Sequence, residues 1–317
     1  MTCRKCQHTN IKRFGTYGKR KLQRYRCNDC STTFSASQPK PLGTHTISIE
    51  KATQVIHLLV EGMSVRAASR FTGVDKNTIL SLLLTVGKKC RQIFHTRVRE
   101  VMPRYVELDE LWCFVHTKEK RLRQDDPEEW GDAYTWIALD AETKLIISYL
   151  VAKRDGPSAL EFISDLYQRV TGRIQITSDG FKPYIGAIEE YFGADVDFAQ
   201  LIKVYGKPDI SGPDWYGPPK VIEAVPTPVS GDPDLAHVCT SFVERSNLTV
   251  RMHLRRFTRL TNGFSKKLSH LKAAVDLYST WYNFARVHQT LRVTPAMQAG
   301  LTDHVWEIEE LLSTPSS

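Results

Sequence analysis

Two Cys-x2-Cys pairs near the start of the chain, Cys3/Cys6 and Cys27/Cys30, are separated by 20 residues. At that spacing two knuckles from adjacent hairpins can converge on one ion. Four thiolates close a tetrahedral shell around a structural Zn²⁺ and leave no open position for catalysis. Residues 1–40 are therefore read as a zinc ribbon holding one zinc ion. The run between the knuckles, KRKLQRYR, gathers Lys19, Arg20, Lys21, Arg24 and Arg26 around Tyr25. A basic hairpin of this kind suits a phosphate backbone, and the same residues would also serve as a solvated turn.

The opening MTCRKCQHTN lacks the apolar stretch of a secretory signal. The longest near-continuous apolar run, Leu145 to Ala152, is far short of the ~20 residues that span a bilayer. The expectation is a soluble, cytoplasmic chain with no membrane partner, in which disulfides are improbable. Cys90, Cys113 and Cys239 show no ligand spacing and are expected as core thiols.

Residues 41–100 carry a different pattern. Ala52, Val55, Ile56, Leu59 and Val60 recur at helical spacing after a turn-rich linker. Ser64 can cap a second helix with Val65, Ala68 and Phe71 inward and Gly73 at its end. A third helix then places Ile79, Leu82, Leu83 and Val86 inward. The pattern fits a helix-turn-helix whose last helix enters the major groove, with Lys76, Asn77 and Ser81 as contact candidates; an ordinary helical hairpin has the same pattern. Charge weighs toward DNA. Residues 1–100 hold 19 basic and 5 acidic side chains, a balance of +14, in a protein of net +8.

From Tyr105 the chain reads as strands. RYVELDELWCFV, YTWIALD and LIISYLVA suggest three antiparallel strands, followed by the helix GPSALEFISDLYQRV, the strand IQITS, the helix FKPYIGAIEEYFG and a fifth strand VDFAQLIKVYG. This is an α/β order, a mixed sheet covered by helices. Residues 207–237, with seven of the fifteen prolines, read as a Pro/Gly-rich loop. Asp109 lies within an apolar strand, where an ionised group is costly unless it is paired or binds a metal. Asp179 follows IQITS at the carboxyl end of a strand, where open α/β sheets hold ligands. Glu244 opens the helical run FVERSNLTVRMHLRRF. Three such acids can hold two divalent ions, Mg²⁺ or Mn²⁺, for phosphodiester cleavage and transfer. Glu107 shares a strand face with Asp109 and is kept as a supporting acid, whereas Glu110 points the other way and reads as structural. Arg251, Arg255 and Arg259 return to the Glu244 face of the helical run and would form a DNA track. Residues 245–292 carry ten basic side chains and one acid, a density that calls for an anion.

Together these segments resemble the DDE-type insertion-sequence transposases, in particular those related to insertion sequence one. The likeness is carried by CRKC and CNDC with Phe34, DELW at Asp109, TSDGFKPY at Asp179, TSFVERSNLTVRMHLRRFTRLTNGFSKK at Glu244 and the terminal YNFARVHQTLRVTPAMQAG. It implies a zinc ribbon over 1–40, a helix-turn-helix over 41–100, an RNase H-like catalytic domain over 101–292 and a tail over 293–317. Asp109, Asp179 and Glu244 would be the catalytic, Mg²⁺-binding triad. Arg251 would contact DNA near the cut, and the N-terminal modules would bind the element's terminal inverted repeats. The implied partners are element ends, target DNA and further copies of the chain at the nucleoid, with no small-molecule substrate. A DNA-binding regulator without catalysis, and a metal-dependent nuclease without strand transfer, are the competing readings.

Overall fold

The computed structural model describes residues 1–3, 5–18, 22–35, 41–206 and 221–313. They fall into two compact units, Met1–Pro41 and Leu42–Ser317. The first contains β1 (Ile11–Tyr17), β2 (Leu22–Cys27) and β3 (Thr33–Ser35), antiparallel in the order β1-β2-β3. Tyr25 and Phe34 pair across β2 and β3 with ring centroids 6.2 Å apart. The residue after the second cysteine of each Cys-x2-Cys pair, Gln7 (φ 61°) and Ser31 (φ 56°), is left-handed.

The second unit opens with three capped helices. Ser48 accepts from Lys51 N ahead of α1 (Ile49–Val60), and Ser64 accepts from Ala67 N ahead of α2 (Val65–Thr72). Asp75 accepts from Asn77 N ahead of α3 (Lys76–Arg97). Gly73 ends α2 at φ 71°, the left-handed geometry glycine tolerates best. Ala52, Val55, Ile56, Leu59 and Val60 are buried as expected, but Phe71 is not: it is 73% exposed, and Thr72 fills the inward position.

The sheet is six-stranded. It comprises β4 (Tyr105–Val115), β5 (Gly131–Asp140), β6 (Ile146–Ala152), β7 (Ile174–Ser178), β8 (Val196–Tyr205) and β9 (Val221–Ser230). Its order is β6-β5-β4-β7-β8-β9. The β4-β5-β6 run is antiparallel, while β7 lies parallel to β4 and β8 parallel to β7. With α4 (Gly156–Tyr167) before β7 and α5 (Pro183–Phe192) after it, this mixed α/β layout is consistent with an RNase H-like fold. Residues 221–230 depart from the expected loop: they form β9, an antiparallel edge strand on β8. Pro226 and Pro228 lie within it, and an edge is where a strand tolerates residues that cannot donate.

One face of the sheet carries α4 and α5, where Trp136 of β5 meets Phe162 and Tyr184. The other face carries α6 (Ser241–His253) and α7 (Leu268–Phe284). Asn283 of α7 both donates to Ile146 O and accepts from Ile146 N, tying that helix to β6. The three N-terminal helices do not stand apart as the expected 41–100 domain. Gly87 of α3 sits so close to α7 that a Cβ there would lie 2.7 Å from the Ala273 backbone, which brings 42–317 into one unit. The short helices α8 (Pro295–Gln298) and α9 (Ile308–Ser313) extend this unit, and Lys89 of α3 donates to Leu312 O at 2.6 Å.

Candidate functional site

In the first unit the Cys3 and Cys30 sulfurs lie 3.5 Å apart, as do those of Cys6 and Cys27, and all four lie within 4.8 Å of one another. Thiolates at 2.3 Å from a tetrahedral Zn²⁺ stand ~3.8 Å apart, so the cluster is compatible with a zinc site. The basic candidates Lys19, Arg20 and Lys21 lie outside the described residues. Arg24 and Arg26 share one face of β2, Arg24 over the Tyr17 ring and donating to Thr33 Oγ1 at 2.7 Å, Arg26 over Phe14. Cys90 and Cys113 are buried as expected, but Cys239 is partly exposed and donates to Ser241 Oγ, which corrects its reading as a core thiol.

The acidic site of the second unit follows from strand register. Glu107 of β4 pairs with Thr177 of β7, so two steps further Asp109 comes level with Asp179, just past the end of β7. Asp179 also accepts from Phe181 N at 3.0 Å, which fixes the turn that carries it. Glu244 enters from the first turn of α6. Asp109, Asp179 and Glu244 line one cleft of about 730 Å³ together with Arg154, Lys182, Lys203, Tyr205 and Thr240.

Side chains of β4 alternate as the sequence suggested. Glu107 is buried toward α6, where its Oε2 accepts from Val243 N at 2.8 Å. No side chain of Thr240 caps that helix, so Glu107 caps it from the neighbouring strand and thereby fixes the turn holding Glu244. Burial pushes Glu107 up to about 7 and Asp109 up to about 7, the latter with Glu110, Asp179 and Glu244 adding like charge. Asp109 Oδ2 accepts from Asn247 Nδ2 at 2.7 Å.

Glu110 is the residue that sequence reasoning undervalued. It points to the α5 face, yet a carboxylate oxygen of Glu110 lies within 4.8 Å of oxygens of both Asp109 and Asp179. Alternation sets which face a side chain leaves from; β7 stops at Ser178, so the acids of both faces meet beyond its end. Tyr184 donates to Glu110 Oε1, and Arg154 bridges Glu110 Oε2 at 3.0 Å and Asp179 Oδ2 at 2.9 Å. Burial raises Glu110 above the usual carboxylate range, and Tyr184 and Arg154 pull it back. Glu244 sits apart from this cluster, held by Lys203 of β8 and by Thr240 Oγ1 at 2.6 Å.

The arginine track is shorter than expected. α6 ends at His253, and Leu254 and Phe257 turn into the core, so Arg255 and Arg259 leave the Glu244 face. Arg251 stays on it, two turns after Glu244, and donates to Phe257 O at 3.3 Å. Lys76, Asn77 and Ser81 are exposed at the start of α3.

No family model matches the chain, and no curated protein sequence does. Among solved structures, it is similar to the cryo-EM structure of a piggyBac transposase synaptic complex with hairpin DNA, at 11% identity and a TM-score of 0.39, over 85% of this chain and 72% of that one.

Proposed function

We propose that the chain is a DDE-type transposase that cleaves phosphodiesters at the ends of a mobile element and joins the freed 3′-hydroxyl to target DNA. The observation that carries this reading is the convergence of carboxylates from β4, the end of β7 and α6 on one open cleft. The donor set is all oxygen, and the Asp109, Glu110 and Asp179 oxygens lie close enough for one ion to touch them, which suits a hard divalent cation. Asp109, Asp179 and Glu244 would hold two Mg²⁺, which when bound activate the attacking oxygen and stabilise the leaving one. Lys203, at the cleft rim beside Glu244, would meet a phosphate once Glu244 turns to an ion. Arg251, which stays on the Glu244 face of α6, would contact the flanking strand. Arg24 and Arg26 of the ribbon, together with Lys19, Arg20 and Lys21, and Lys76 and Asn77 of a helix-turn-helix, would bind the terminal repeats.

A non-catalytic DNA-binding regulator draws on one observation, that Arg154 and Lys203 already pair with Asp179, Glu110 and Glu244. The two readings part on labelled duplexes taken from the DNA on either side of the gene, where terminal inverted repeats would lie. The transposase nicks them with Mg²⁺ and yields joined products with target DNA. Asp109→Asn, Asp179→Asn and Glu244→Gln each abolish Mg²⁺-dependent cleavage and still bind the duplex. Cleavage by any one of them at the wild-type rate contradicts the assignment.

A further inference from the structure

Asn247 stands three residues after Glu244 on α6 and is 6% exposed. Its Nδ2 donates to Asp109 Oδ2 at 2.7 Å, and its Oδ1 is buried with no hydrogen-bond partner among the described residues. An orphaned buried carbonyl is unfavourable by ~1–3 kcal/mol, and an aliphatic side chain would fill a helix position facing a sheet without that penalty. Beside the ionised carboxylate that a bound cation would require, the amide has one orientation available, since turning it would set oxygen against oxygen. The one polar contact of the Asn247 side chain is therefore its N–H to Asp109.

We propose that Asn247 is the positioning residue of Asp109. By holding Oδ2 against α6 it leaves the other carboxylate oxygen as the one presented toward Asp179 and Glu110. It also links two walls of the cleft: Asp109 on β4 and Glu244 on α6 keep their relative placing because Asn247, one turn from Glu244, grips the strand. Glu107 makes the second link from the same strand to the start of the same helix. The inference rests on the reading of the cleft as a divalent-ion site. Groups that orient metal ligands in this way typically change ion affinity by ~10–100-fold when removed.

The test is Mn²⁺ binding to the zinc-loaded full chain without DNA, followed by electron paramagnetic resonance and calorimetry, for wild type, Asn247→Leu, Asn247→Ala and Asp109→Asn. Asn247→Leu and Asn247→Ala should weaken Mn²⁺ binding by ~10–100-fold while duplex binding is unchanged. Their cleavage rate should recover toward wild type at saturating Mn²⁺, because the residue acts through ion placement and not on DNA. Thermal melting identifies a misfolded variant, and Asn247→Ala, which keeps the helix, decides the matter if Asn247→Leu does not fold. Mn²⁺ affinity within twofold of wild type in a folded Asn247 variant, with Asp109→Asn defective, overturns this role alone. Wild-type affinity in Asp109→Asn overturns the ion-site reading on which it rests.

Discussion

Asp109 shows what single residues of this sequence disclose and what they conceal. An acid inside an apolar strand is legible as an anomaly, and burial does raise its proton affinity, to about 7. Asp179 was legible from its place at a strand end. Arg154 and Lys203 were not, since each lies far along the chain from the acid it meets and no local pattern marks a long-range ion pair. Glu110 was judged by strand alternation alone, which is blind to where the neighbouring strand stops. A second buried acid offers a clean pH test. Asp276 of α7 accepts from Tyr149 Oη at 2.9 Å, and burial raises it from 3.8 to about 6. Because the folded value is the higher, its favourable contribution is complete below about 4 and is lost as pH rises through about 6. Urea unfolding should show Asp276→Asn gaining on wild type by up to ~1.4 kcal/mol per pH unit across that window. The difference should be flat above it.

At the scale of elements, the helices and strands that bury a regular apolar face were the readable ones. α1 shows its five buried positions in sequence, and Ser64 and Gly73 mark both ends of α2. The end of α6 was hidden because arginines recur at helical spacing past His253, whereas Leu254 and Phe257 find the core only if the helix stops. β9 was hidden because its prolines read as loop, and only an edge position reconciles them with a strand. The α3–α7 contact was equally unreadable: Gly87 inside a helix pattern signals weakness until the partner is known. Gly87→Val should destabilise by at least ~1–3 kcal/mol in urea titration, since the added methyls meet backbone and not a movable side chain. Gly186, with open space around its Cα, is the control: Gly186→Ala should be neutral or slightly stabilising.

At the scale of the molecule, charge is segregated along the chain. The basic blocks at 1–100 and 245–292 frame a stretch with 25 acids, of which only a handful reach the cleft. The zinc reading makes an independent prediction here. The described part of Met1–Pro41 contains strands and no helix, whereas the helices lie in Leu42–Ser317. Chelating zinc should therefore leave the helical circular dichroism at 222 nm nearly intact while DNA affinity falls at least tenfold. Loss of the helical signal on chelation would show that the four cysteines support more than their own unit.

Asp109, Asp179 and Glu244, from three separate elements, are proposed to form a single two-ion centre. Crystals of the zinc-loaded protein with cleaved DNA ends and Mn²⁺, measured for Mn anomalous scattering, address it directly. Two Mn peaks ~3.5–4 Å apart are expected, both within coordination distance of Asp109 and one each beside Asp179 and Glu244. A cleft without Mn, with Arg154 still bridging Glu110 and Asp179 and Lys203 still on Glu244, would contradict it.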